Sequence, residues 1–235
     1  MRNYLIFNGA DSRDFGVYIS GQGTFGAPAR AYNVVPIAGR NGDIVTHEKR
    51  LENVSVTYRA FIYANFDTNL RNFRNFLLSC IGYKELSDSY HTDEFRMALY
   101  DDSFDPEVTS KNNAGQFNIT FNCKPQRFLN SGKLVTALTA DGSITNPTLF
   151  DAQPLLRVYG DGTLGINSQS IIIDGSDVYT DIDCEMMDAY KGTANKNHTI
   201  TLSDYNFPVL RAGVNNFSLG TGISRVEITP RWWRV

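Results

Sequence analysis

The chain has 235 residues, 42% of them hydrophobic and 20% charged, with a formal net charge of −3. That balance is ordinary for a soluble domain, and with Lys and Arg scattered along the chain it excludes an electrostatic nucleic-acid surface. No stretch approaches the roughly eighteen apolar residues of a membrane span, and three widely spaced cysteines (Cys80, Cys123, Cys184) exclude a disulfide framework and read as buried free thiols.

In chain order, Met1 to Asn8 carries an apolar run too short for a signal peptide, so synthesis in a cytoplasm is expected. Gly21-Gln22-Gly23 and Gly39-Arg40-Asn41-Gly42 are turns, because neither has the Lys-Ser/Thr ending of a phosphate loop. The stretch from Gly39 to Asp43 combines a tight backbone with Arg40, Asn41 and Asp43, and reads either as a contact loop or as a plain hairpin tip. Val54, Val56 and Tyr58 alternate with Ser55, Thr57 and Arg59, the period of a half-buried strand.

From Asp67 to Cys80 the period changes. Leu70, Phe73 and Leu77 fall on one helical face, Asp67 or Thr68 can serve as N-cap, and Gly82 lies where helices stop, predicting a helix over about 68–80. His91 to Tyr100 fits a weaker helix or a strand equally. Phe117, Ile119 and Phe121 predict another strand, and a linker near residues 128–135 divides the chain into domains 1–130 and 131–235.

Beyond it the sequence is nearly all β, with turns of Gly, Asn and Asp. This predicts a sandwich or jelly roll. Leu156 and Val158, the turn Gly160-Asp161-Gly162, then Leu164 and Ile166 read as a β-hairpin. Val226 and Ile228 begin a last strand that runs through Thr229 to Val235. Trp232 and Trp233, the only tryptophans, would then point to opposite faces, one into the core and one over an outer surface.

Chemistry finds little to build on. His47, His91 and His198 have no ligand spacing, and His91-Thr92-Asp93-Glu94 reads as a solvated run. Asp181 and Asp183, with Glu185 and Asp188, form the densest acidic patch, where a divalent cation is conceivable but the spacing is no EF-hand. There is no Gly-x-Ser-x-Gly elbow and no Cys beside a plausible base. No catalytic, metal or cofactor residue is therefore expected. The 15 Phe and 12 Tyr read mainly as core, with a sugar-stacking face as the alternative.

At these residues the sequence resembles the distal tail proteins of siphophages that infect Gram-positive bacteria. The likeness is carried by Asp14-Phe15-Gly16-Val17-Tyr18-Ile19, Pro36-Ile37-Ala38-Gly39-Arg40-Asn41-Gly42-Asp43 and Cys123-Lys124-Pro125-Gln126-Arg127-Phe128. It continues through Asn146-Pro147-Thr148-Leu149-Phe150, Tyr159-Gly160-Asp161-Gly162, Ile182-Asp183-Cys184-Glu185-Met186-Met187 and Ile228-Thr229-Pro230-Arg231-Trp232-Trp233. Each motif is weak alone; their order and combined length carry the assignment.

The resemblance implies a mainly β protein with two domains. Residues 1–130 would be a β-sandwich with one helix and a protruding hairpin that builds a homo-hexameric ring. Residues 131–235 would be a galectin-like β-sandwich projecting outward. Such a ring, part of the baseplate at the virion tail tip, joins the major tail (tube) protein to a tail-associated lysin or fibre hub, and in some relatives docks receptor-binding proteins. It is a structural role, with no enzymatic activity, cofactor, nucleic acid or membrane. Galectin sugar binding is not implied, because its His/Asn/Arg and Trp constellation has no counterpart here. The alternative reading is a carbohydrate-binding module that recognises the host cell wall, and an enzyme degrading that wall is a distant third.

Overall fold

A computed structural model describes residues 2–21, 23–109, 113–175 and 178–235, so Met1 and Gln22 of the turns read above lie outside the described residues. Among the described residues the chain is predominantly antiparallel β-sheet with one α-helix, and its contacts divide it into two compact units, residues 1–127 with Val235 and residues 128–234.

The first unit contains β1 (Leu5–Phe7), β2 (Ala10–Asp11), β3 (Tyr18–Ser20), β4 (Arg30–Val35), β5 (Ile44–Leu51) and β6 (Val54–Ile62). After α1 (Phe66–Ser79) come β7 (Lys84–Asp88), β8 (Glu94–Leu99), β9 (Glu107–Thr109) and the long β10 (Ala114–Leu129), within which the two units divide. The main sheet runs β2-β1-β7-β8-β10-β6-β3, with β9 also on β10. It curls on itself until Ile19 of β3 donates its backbone N–H to the carbonyl of Asn3, just ahead of β1, at 3.0 Å. The sandwich-like core is thus one sheet folded round. The strand reading of 91–100 prevails over the helical one.

Alternation explains the core. Val56, Tyr58, Ala60 and Ile62 of β6 and Phe117, Ile119, Phe121 and Cys123 of β10 point inward, while Thr57 and Thr120 pair hydroxyls outside at 3.0 Å. Helix α1 covers this core with Phe66, Phe73 and Leu77. It begins ahead of the predicted Asp67 or Thr68 cap, at Asn65, which takes a left-handed φ of 51° and makes no side-chain capping bond. Asp67 instead pairs with Arg71 one turn on. Burial of Phe66 outweighs the missing cap, because packing of an apolar face supplies most of a short helix's stability.

The second unit contains β11 (Thr136–Leu138), β12 (Gly142–Asn146), β13 (Leu155–Tyr159), β14 (Gly162–Ile166), β15 (Gln169–Ile173) and β16 (Tyr179–Asp183). There follow β17 (Asp188–Lys191), β18 (Ala194–Asn195), β19 (Ile200–Leu202), β20 (Gly213–Leu219), β21 (Arg225–Thr229) and β22 (Trp233–Arg234). One sheet runs β11-β21-β13-β16-β17-β18 and the other β12-β20-β14-β15-β19. They form a sandwich. Leu156, Val158, Ile182, Val226 and Ile228 from one sheet meet Leu164, Ile166, Ile171, Ile173 and Phe217 from the other in a single core.

The expected hairpin at 156–166 is not one. β13 pairs with β16 and β21, whereas β14 pairs with β15 and β20, so Gly160-Asp161-Gly162 hands the chain from one sheet to the other. Gly160 has φ +94°, and a Cβ there would lie 2.1 Å from the carbonyl oxygen of Gly222. The crossing therefore depends on glycine twice over, for its dihedral and for that close approach.

The terminal strand is also interrupted. After β21, Pro230 and a left-handed Arg231 (φ 57°) break it before β22. Trp232 enters the core, and its carbonyl accepts the Leu129 N–H at 2.8 Å. Trp233 turns outward, stacks on Phe150 with centroids 4.5 Å apart and donates from Nε1 to the Asp151 carbonyl at 2.9 Å. Trp233→Ala is expected to cost about 1–2 kcal/mol, the scale of one aromatic stack plus one hydrogen bond, measured by urea unfolding.

Candidate assembly surface

β4 and β5 stand apart from the main sheet as a two-stranded hairpin, an arm whose residues are nearly all exposed. The register places Tyr32 opposite His47 and Val34 opposite Val45 on one face. Asn33 opposite Thr46 and Val35 opposite Ile44 occupy the other. The outermost rungs are thus apolar on both faces. Val34 is 50% exposed and Val45 56%, and Val35, Ile37 and Ile44 are similarly open. A hairpin is marginally stable alone in water, and this one leaves apolar surface uncovered where it reaches furthest.

The sequence-predicted contact residues Arg40, Asn41 and Asp43 sit in the exposed loop joining the two strands. There the Arg40 N–H donates to the Ile37 carbonyl at 3.3 Å, and Gly39 and Gly42 take φ values of 79° and 84°. The sequence reading found this loop but missed the apolar rungs beside it. Their signal, Val34-Val35 and Ile44-Val45 flanking a glycine turn, is the same as that of a buried hairpin.

The arm's root is fixed where its tip is free. Ala31 is buried, and the Glu52 N–H donates to the Ala29 carbonyl at 2.9 Å. Just ahead of the arm, the Thr24 carbonyl accepts from Arg127 at 2.5 Å, and the Phe25 ring meets His91 edge-on at 5.3 Å. Arg127 also pairs with buried Glu94 at 2.6 Å, and Asp88 accepts from Tyr58 at 2.7 Å and from the backbone N–H groups of Tyr90 and His91 at 2.9 Å. The expected solvated run His91 to Glu94 is therefore partly interior, because Arg127 neutralises Glu94 there. The cavity among these groups measures about 10 Å³, no more than one water.

Two carboxylates of the acidic patch are committed to arginines, while Asp188 accepts from the Asn195 and Asn197 side chains. Asp181 accepts both prongs of Arg157 at 2.7 and 2.9 Å, and Asp183 both prongs of Arg231 at 2.7 and 2.8 Å. Asp183 Oδ1 also accepts the N–H groups of Glu185 and Met186. Burial by itself raises the Asp183 pKa, but the Arg231 hydrogen bonds and these two backbone donors outweigh it and hold the carboxyl below its usual value. Among the described residues no group of three metal-ligating side chains comes together.

Burial pushes the Cys123 and Cys184 thiols up to about 12, which keeps them protonated at neutral pH. An open groove of about 520 Å³ lies along Asp141, Ser143, Asn167, Asn216 and Ser218. Its polar groups are largely spent on the fold: Asn167 bridges Asn215 and the Asn216 N–H, and Asp141 accepts the Leu219 N–H. Its aromatic residue, Phe217, is buried, so the groove offers no platform for a sugar ring. Among the described residues no helix is long and apolar enough to cross a membrane.

Two β units thus come with an exposed, apolar-tipped arm, and Asp181 and Asp183 are locked to arginines. Residues 11–123 match the family described as phage tail protein RIFT-related domain. The fold over nearly the whole chain is that of the SPP1 Dit protein, whose crystal structure is titled a paradigm of the hub adsorption apparatus in phages infecting Gram-positive bacteria. The two superpose with a TM-score of 0.69 at 16% identity, covering 97% of this chain and 98% of that one. No curated protein matches the sequence. Residues 11–123 are thus similar to that phage tail family, and nearly the whole chain has the fold of the Dit protein.

Proposed function

We propose that six copies of this chain form a ring at the tip of a siphophage tail, with residues 1–130 building the ring and the arm supplying its contacts. The observation that carries this reading is the arm's apolar outer rungs, exposed on both faces. A closed ring needs head-to-tail contacts between two different surfaces of each subunit, and a hairpin apolar on both sides suits insertion into a neighbouring copy.

In this reading the ring joins the tail tube protein to a tail-associated lysin or fibre hub. Residues 131–235 face outward and dock receptor-binding proteins, and the protein is made in the host cytoplasm before joining the virion. The arginine-locked carboxylates and protonated thiols favour a structural part over an enzyme. Size-exclusion chromatography with light scattering, followed by negative-stain imaging, is expected to give a hexamer mass and six-fold rings. A protein that stays monomeric at every concentration and is absent from purified virions sinks the proposal.

A further inference from the structure

The sequence contains two Asn-Gly pairs, Asn8-Gly9 and Asn41-Gly42. The two are held very differently. Asn8-Gly9 is the two-residue turn between β1 and β2, flanked by the Phe7–Ala10 pair, with both residues at positive φ. The Asn8 backbone N–H donates to the Glu85 carbonyl at 2.9 Å, and its side-chain amide reaches Cys80 Sγ at 3.5 Å. Asn41-Gly42 lies in the exposed loop beyond the first rung of the arm, Val35 opposite Ile44. Among the described residues neither the Asn41 side chain nor the Gly42 N–H makes a hydrogen bond, and nothing lies within 4 Å of where a Gly42 Cβ would stand.

We propose that Asn41 is a site of spontaneous deamidation and that Asn8 is protected. Asparagine is among the thermolabile residues, and the reaction needs the next residue's backbone nitrogen to reach the side-chain carbonyl carbon. At Asn41 that nitrogen belongs to a glycine with no β-carbon in the way and no ladder bond to break. The Gly42 nitrogen loses its proton and bonds to Asn41 Cγ, the Cγ–Nδ2 bond breaks, and ammonia leaves a five-membered succinimide. Water then opens either carbonyl of the ring, giving aspartate or isoaspartate.

Either product places a carboxylate two residues from Asp43 at the tip of the arm. Isoaspartate also lengthens the main chain by one methylene inside the loop that joins β4 to β5. The Gly9 nitrogen is as uncrowded as that of Gly42, so protection at Asn8 comes from the asparagine itself. Its N–H is tied to the Glu85 carbonyl and its side-chain amide to Cys80 Sγ within the β1–β2 turn, and these must give way before the side chain reaches that nitrogen.

The test is peptide mass mapping of the folded protein during incubation at mildly alkaline pH. The Asn41 peptide is expected to gain the mass of amide-to-acid conversion at least about tenfold faster than the Asn8 peptide, the factor that one lost net hydrogen bond corresponds to. Gly42→Ala, whose methyl group shields the attacking nitrogen, is expected to suppress the conversion. Equal rates at the two sites, an unchanged Asn41 peptide, or a Gly42→Ala variant that converts as fast as the parent overturns the proposal.

Discussion

Aspartate at both Val34 and Val45 is expected to leave the subunit folded and to abolish ring assembly. The two side chains face each other across the arm's outer rung and are half-exposed in the single subunit, where new carboxylates remain in water. Each such surface change usually moves stability by about 0.5 kcal/mol, and the like charges facing each other across the rung add a similar cost confined to the arm. Once the rung inserts into a neighbouring copy, the same carboxylates lose their hydration without a partner, at a cost of several kcal/mol each. A closed ring repeats that cost at every interface, so assembly fails while melting of the monomer hardly changes. Light scattering and thermal unfolding on the same sample separate the two quantities. Val35→Asp with Ile44→Asp reports on the opposite face. If insertion is two-sided, both pairs behave alike, and rings that form normally with all four aspartates remove the arm from the interface.

The parts of this fold that follow from local chemistry were readable in the chain. The alternation in β6 and β10 named their inward residues, and the spacing of Leu70, Phe73 and Leu77 located α1 to within two residues. Pairing was not readable. Period two tells which face of a strand is buried and says nothing of which strand lies beside it, so residues 156–166 read as a hairpin although β13 and β14 lie in different sheets. The arm failed for a related reason. Val34, Val35, Ile44 and Val45 carry the pattern of buried strands, and only the fold shows that they stay largely exposed among the described residues. The sequence showed Asp181 and Asp183 only as an acidic patch, expected to hold no metal, and not as ion pairs, because their partners, Arg157 and Arg231, lie 24 and 48 residues away.

That last pair sets the strongest stability prediction for the second unit. The Asp183 side chain is buried and serves four donors: two from Arg231 and the backbone N–H groups of Glu185 and Met186. It thereby fixes both the turn after β16 and the left-handed Arg231 that steers Trp232 into the core. Asp183→Ala leaves the partly buried Arg231 guanidinium with only Glu185, at 3.5 Å. It is expected to cost about 3 kcal/mol, the low end for breaking a buried pair, the same scale as emptying the Trp232 pocket with Trp232→Ala. The carboxyl also carries a pH signature. Its pKa is lowered in the folded chain relative to an unfolded value of about 3.9, so below about pH 4 the unfolded chain binds the additional proton. The contribution is therefore complete above the unfolded pKa and disappears as the pH falls through the folded one. Urea unfolding of the parent protein from pH 6 down to about pH 3 should show stability falling at the acid end, and Asp183→Asn should flatten part of that slope while lowering stability at neutral pH. An Asn variant with the parent's stability at neutral pH and the parent's acid slope shows that the Arg231 clasp does not hold the C-terminal segment.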